Sequence, residues 1–131
     1  MAQGALSIVL WATDLDGFAA FLTDAVGATL EMRHPGFAAL SVEGAEIQLH
    51  SDESYPGHPW REALANEGAA RGIGAEVRLR VDQVDARHRK AIEMGYVTIQ
   101  GPHDDGTGRT CQLMGPDGYF FTLWEPRIGG A

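Results

Sequence analysis

Cysteine is nearly absent from this chain, since Cys111 is the only one among 131 residues. A single thiol cannot form an internal disulfide, and its isolation excludes zinc sites built from several cysteines. Apolar runs long enough to cross a bilayer are absent as well. The apolar stretch 5–12 has no basic residues before it, so it does not resemble a signal peptide. These absences predict a cytoplasmic protein without a membrane partner.

Positive charge is also scarce, with 10 Lys and Arg against 18 Asp and Glu and a formal net charge of -8. Phosphate backbones repel such a surface, so we expect no nucleic-acid partner and favour cationic or neutral ligands over polyanions. The hydrophobic fraction of 44% and charged fraction of 21% are ordinary for a globular domain. The length predicts a single core.

Two stretches of the chain repeat one pattern. Each begins with residues of period two, at 7–12 and at 76–81, which is typical of a strand. An Asp that can cap a helix follows, then a segment of helical period, and then a glycine, Gly27 or Gly95, that ends the helix. A repeat on this scale indicates a duplicated supersecondary unit.

Short strands separated by turn residues follow each predicted helix. They are predicted at 29–33, 37–42 and 45–50, and again at 97–100, 109–114 and 119–124. The pattern predicts an α+β protein of two βαβββ modules, with a cupped mixed sheet and helices on its outer face. The predicted organisation is a first module at 1–50, a linker with a short helix at 51–74, and a second module at 75–131, within one structural domain.

The segment 114–126 carries the most specific signal. Its Pro-Asp-Gly turn at 116–118 precedes an alternating apolar strand. Together with the strand and helix at 6–27, this segment resembles the vicinal-oxygen-chelate superfamily of glyoxalase I, extradiol dioxygenases and bleomycin-resistance binding proteins. The resemblance covers nearly the whole chain. It implies the cupped fold and a homodimer in which each cavity is completed across two modules.

The same resemblance places the metal ligands of the family, which are drawn from His, Glu and Gln, at Ser7, Gln48, Glu76 and Thr122. Hydroxyl groups are poor ligands for zinc, nickel or iron, so this set predicts no metal cofactor. An alternative remains open. His50 follows Gln48 on the same predicted face, and with Glu76 these residues could hold a divalent transition metal.

Strand alternation separates a core face from a cup face. The apolar sets of the first and fifth strands fit beneath helices, so the intervening residues should line the cup. Tyr119 and Phe121 alternate against the cup and should pack on the second helix, whereas the loop residue His58 should be solvated. The predicted ligand-binding residues are Trp11, Gln48, His50, Glu76, Arg78, Thr122 and Trp124, with Trp60 of the linker as a hydrophobic lid or subunit contact.

Two functions compete at this point. The first is a metal-free small-molecule binding protein, similar to the antibiotic-binding branch, in which Glu46 or Glu76 meets a ligand cation. The second is a metal-dependent lyase, isomerase or dioxygenase; a metal-free enzyme would instead need Glu76 or His50 as a general base. Because Ser7 and Thr122 stand where good ligands are expected, the sequence favours the binding protein.

Overall fold

Two four-stranded sheets of identical order form the frame of the protein. The computed structural model describes residues 6–127, so the outer ends of the two predicted modules lie outside the described residues. The strands are β1 (Ser7–Ala12), β2 (Thr29–His34), β3 (Phe37–Val42), β4 (Ala45–Ser51), β5 (Val77–Arg80), β6 (Val97–Asp104), β7 (Gly108–Met114) and β8 (Phe120–Pro126).

The sheet orders are β1-β4-β3-β2 and β5-β8-β7-β6. In each sheet the first strand pairs in parallel with the last, and the other pairs are antiparallel. This arrangement confirms the predicted α+β class and the duplicated βαβββ unit. Between the sheets the chain forms a 3₁₀ turn at Asp52–Ser54 and a short helix, α2 (Pro59–Asn66). No helix within residues 6–127 is long and apolar enough to span a membrane.

The first helix follows the predicted signals at both ends. Helix α1 (Leu15–Ala20) begins at Asp14, whose carboxylate accepts a hydrogen bond of 3.0 Å from the backbone N–H of Gly17. It continues as a wider π-helical turn over Phe21–Val26. The helix stops at Gly27, which has a φ of 88° that a residue with a side chain rarely adopts.

The second module caps its helix in a different way. Helix α3 (Val84–Glu93) follows Gln83, which has a left-handed φ of 54° and no capping side chain. The prediction that an Asp caps this helix is wrong, and the carboxylate of Asp82 accepts a hydrogen bond from Arg87 of the helix instead. The carboxylate of Glu125, at the end of β8, accepts hydrogen bonds of 3.0 Å from the backbone N–H groups of Gln83 and Val84. A residue 41 positions away along the chain therefore serves as the cap.

Substitution of Glu125 by alanine should lower the free energy of unfolding by about 1–2 kcal/mol, since two N–H groups at the start of α3 lose their acceptor. Urea denaturation followed by circular dichroism measures the loss. Glu93→Ala, at the exposed far end of the same helix, is the control and should not lower stability. Equal stabilities for the two variants would contradict this role for Glu125.

The helix-covered faces of both sheets meet in one core. Phe121 of β8 contacts Phe18 and Phe21 of the first helix, with ring centroids 6.3 and 5.2 Å apart. Tyr119 also contacts Phe18, at 5.7 Å. The prediction that Tyr119 and Phe121 face away from the cup is confirmed, but their aromatic partners lie on the first helix and not on the second. The reason is that the two modules share this core, so the concave faces turn away from it.

Candidate functional site

The predicted site residues fall into two groups, one on each sheet. Trp11 pairs with His50 across β1 and β4, and Gln48 lies on the same concave face because Ile47 and Leu49 are buried in the core. On the second sheet the paired positions are Arg78 with Thr122 and Arg80 with Trp124, and Glu76 directly precedes β5. Within the described part of the chain, no hydrogen bond, ion pair or ring contact joins the two groups.

The first group belongs to a larger set of rings, here called the aromatic cluster. Its members are Trp11, His50, Tyr55, His58 and Trp60. Tyr55 stacks on Trp11 with the centroids 4.1 Å apart and the planes 4° from parallel. His58 meets Trp11 edge-on at 5.0 Å, and Trp60 lies tilted against it at 5.7 Å. Side chains of the linker thus cover the concave end of β1.

Burial controls the charge of the cluster. Desolvation lowers the pKa of His50 and raises the pKa of Tyr55, so both rings stay neutral at pH 7. Faces of neutral aromatic rings attract cations through their quadrupoles. The rings of His50 and Tyr55 therefore provide an uncharged surface that accepts either a neutral aromatic molecule or a cationic one.

The linker residues differ from the prediction in one respect. His58 was expected to be solvated, but its Nδ1 accepts a hydrogen bond of 3.0 Å from the N–H of Trp60 and so caps α2. This role, together with the edge contact to Trp11, keeps His58 half-buried. Trp60 remains 64% exposed even though its ring touches Trp11. Because Trp60 adjoins the apolar surface around Trp11, it is a candidate contact for a ligand or for a partner chain.

A cleft of about 410 Å³ lies between β1 and α2 and borders the aromatic cluster. Its walls are mostly apolar, and its volume is in the range of small-molecule sites. Its lining includes Val9, Trp11, Trp60, Leu64, Ala70 and Arg71.

A larger hollow of about 610 Å³ lies beside the start of α3. Most of its charged groups already have partners, because the guanidinium of Arg109 binds both carboxylate oxygens of Asp85 and Glu125 caps the helix. Few convergent polar groups are left there to orient a ligand. The cleft beside Trp11 is therefore the better candidate.

Arg71 fastens the linker to the first sheet. Its guanidinium donates to both carboxylate oxygens of Asp52, at 2.9 and 2.5 Å, and to the carbonyl of Trp11 at 3.1 Å. The hydroxyl of Tyr119 donates to that same carbonyl at 3.0 Å. The backbone of Trp11 is thus held from two sides, which makes its ring a fixed platform.

In the second group of predicted site residues, the one on the second sheet, Glu76 contacts two of the other members. Its carboxylate accepts a hydrogen bond from the hydroxyl of Thr122 and lies 3.7 Å from the nearest guanidinium nitrogen of Arg78. Beside them, the guanidinium of Arg80 lies 5.9 Å from the ring centroid of Trp124. The polar groups of this face therefore contact one another.

The residues at the family's ligand positions do not match the donors that zinc, nickel or iron prefer. Ser7 and Thr122 offer only hydroxyls, and the carboxylate of Glu76 already has a hydrogen-bond donor and a cation beside it. In the alternative set, Gln48 and His50 belong to the first sheet and Glu76 to the second. Among residues 6–127, no group of three or more His, Cys, Asp or Glu side chains is arranged to hold a metal ion.

Two parts of this site escaped the sequence analysis. Tyr55 lies before a Pro-Gly pair and Arg71 lies in a glycine-rich segment, and both were assigned only to a linker. The aromatic character of Tyr55 was a usable signal, because a ring in a polar linker beside Trp60 suggests a shared contact. Arg71 gave no comparable signal, since its partner Asp52 has no regular spacing from it.

These features define a class of protein: a duplicated βαβββ fold with two concave faces, one of which is lined by aromatic side chains. The chain belongs to the Glyoxalase/Bleomycin resistance protein/Dioxygenase superfamily, whose profile matches residues 4–123. The family resemblance that the sequence suggested is thereby confirmed. No curated protein matches the chain.

Solved structures share the fold at low sequence identity. A glyoxalase/bleomycin resistance protein/dioxygenase family enzyme from Burkholderia phytofirmans is 22% identical, with a TM-score of 0.71 over 92% of this chain and 98% of that one. Fosfomycin resistance protein FosX from Mesorhizobium loti is 13% identical, with a TM-score of 0.66 and coverage of 98% and 96%. TioX from Micromonospora is 19% identical, with a TM-score of 0.67 and coverage of 95% and 100%. At these identities the similarity shows the fold alone.

Proposed function

We propose that this protein is a metal-free binding protein that sequesters a small aromatic molecule, neutral or cationic, in its cup. The observation that supports this most directly is the pairing of the exposed ring of Trp60 with the buried ring of Trp11 beside an apolar cleft of about 410 Å³. Affinity would come from stacking and from removal of apolar surface from water. A role in resistance to a toxic compound is part of the proposal, since sequestration protects without chemistry.

Of the two acidic residues considered, Glu46 is the one whose carboxylate is free to meet a ligand cation. It is only 7% exposed, lies on the concave face of β4, and has no hydrogen bond or ion pair among residues 6–127. The carboxylate oxygens of Glu46 remain accessible to water and are free to pair with a ligand cation. Glu76, the other acidic residue considered, is already engaged by Thr122 and Arg78. Glu46 and His50 are four residues apart on one strand, or about 13 Å.

We propose a homodimer as well. The helix-covered faces are buried in the shared core. The concave face of the second sheet, and the part of the first that the linker does not cover, are left for another contact. Apolar side chains remain partly exposed on these faces, among them Val9 at 43% and Met114 at 44%. A second copy that closes each cup would bury them.

Isothermal titration calorimetry with three compounds tests the binding proposal. Proflavine is planar and cationic, quinoline is planar and neutral, and tetramethylammonium is a cation without a ring. Trp60→Leu should weaken binding of both aromatic compounds by roughly tenfold, whereas Glu46→Gln should weaken proflavine only. Ile73→Ala, at another exposed apolar side chain, is the control and should bind as the unmodified chain does. If neither aromatic compound bound, the proposed function would be wrong.

Metal retention separates this proposal from the metal-dependent lyase, isomerase or dioxygenase. The observation that favours the enzyme is the acidic side chain of Glu76 on the concave side of the second sheet. The protein is dialysed against nickel, zinc, manganese, iron(II) and cobalt, and the excess ion is then removed. We expect no stoichiometric retention. Retention that disappears in Glu76→Gln would overturn the metal-free proposal and favour the enzyme.

A further inference from the structure

Residues 52–71, here called the strap, cross the concave end of the first sheet, and an ion pair between Asp52 and Arg71 joins their two ends. Asp52 at one end and Arg71 at the other are both mostly buried, with side-chain exposures of 14% and 10%. Between these ends, α2 has no buried residue. Segments with few buried contacts open at low free-energy cost, so the middle of the strap can move while its ends stay joined.

Tyr55 is the strap residue that enters the aromatic cluster most directly. Its ring lies parallel to that of Trp11 and also contacts His50 at 5.4 Å. Tyr55 is half-buried, and its hydroxyl makes no hydrogen bond to another described residue. The side chain of Tyr55 is therefore held by ring contacts alone.

Trp11 differs from Tyr55 in how firmly it is held. Its backbone N–H and carbonyl both bind the hydroxyl of Tyr119, at 3.2 and 3.0 Å, and its carbonyl also binds Arg71. Its side chain is buried beneath rings of the strap. One ring of the stack thus belongs to a strand residue whose backbone is anchored, whereas the other belongs to a lightly packed strap.

We infer that Tyr55 occupies the stacking position of the ligand, so that the ligand is a planar aromatic ring that binds Trp11 by displacing Tyr55. This inference rests on the proposed function and narrows its ligand class. A flat ligand ring on Trp11 makes a stack equivalent to the one that Tyr55 makes, so Trp11 keeps its ring contacts when the ligand replaces Tyr55. An aliphatic cation cannot make that exchange, because it lacks the parallel face.

Two substitutions at residue 55 test the exchange with the same three compounds. Tyr55→Leu removes the competing ring and should tighten binding of quinoline and proflavine by about two- to tenfold, which corresponds to the usual strength of one aromatic pair. Tyr55→Phe retains the ring and should bind both within about twofold of the unmodified chain. Tetramethylammonium should respond to neither substitution.

Hydrogen exchange on the unmodified chain gives an independent measurement. Bound quinoline should accelerate exchange of the amides at 55–60, because Tyr55 leaves the stack, whereas a lid that closes over the ligand would slow it. Unchanged or weaker binding in Tyr55→Leu, or slower exchange at 55–60, would overturn the inference and leave the proposed function intact. Failure of every variant and of the unmodified chain to bind an aromatic compound would overturn both.

Discussion

Phe121→Ala is expected to lower the free energy of unfolding by about 3–5 kcal/mol, because it leaves a cavity where a fully buried aromatic ring was packed. The ring of Phe121 contacts Phe18 and Phe21, so its loss weakens the contact between the two modules as well as the second sheet. The packing there is tight, since a Cβ added at Gly115 would lie 2.7 Å from the Phe121 ring. Urea denaturation at constant protein concentration, followed by circular dichroism, gives the change.

Phe120→Ala is the matched control for this prediction. Phe120 is the neighbouring residue on the same strand, but it faces the concave side and is half-buried. Removal of the Phe120 ring should lower the free energy of unfolding by less than half as much as Phe121→Ala does, because the position is partly exposed to water. Equal losses for the two variants would contradict a core shared between the modules at Phe121.

Most of the fold could be predicted from periodicity and repetition. The predicted strand 37–42 coincides with Phe37–Val42, because Pro-Gly and Glu-Gly turns delimit it clearly. The predicted strand 97–100 is too short, since β6 continues to Asp104. Gly101 and Pro102 are typical of a turn, but irregular pairing with β7 between Gln100 and His103 accommodates them within the strand.

The candidate site could be predicted only in part. Alternation along β1 and β4 placed Trp11 and His50 on one face. Side chains of a strand point to opposite faces in turn, and the apolar set of each strand identifies the buried face. Contacts between Tyr55 of the linker and the cup depend on the path of the chain after β4, which no local pattern specifies. The cap supplied by Glu125 escaped prediction for the same reason, because it joins segments far apart in sequence.

Arg71→Met is expected to lower the free energy of unfolding by about 2–3 kcal/mol. Removal of one partner from a buried ion pair leaves the other charge uncompensated, and Asp52 is only 14% exposed. Arg33→Met provides the control, since its partner Asp16 is 83% exposed, and should cost no more than about 1 kcal/mol. Urea denaturation measures both changes.

The double variant Arg71→Met with Asp52→Asn separates a buried pair from two independent contacts. The double variant should lose less free energy of unfolding than the two single variants combined. The reason is that Asp52→Asn removes the charge that Arg71→Met leaves without a partner. Additive losses would mean that Asp52 is adequately solvated once Arg71 is gone. They would contradict the role of this pair in holding the strap against the carbonyl of Trp11.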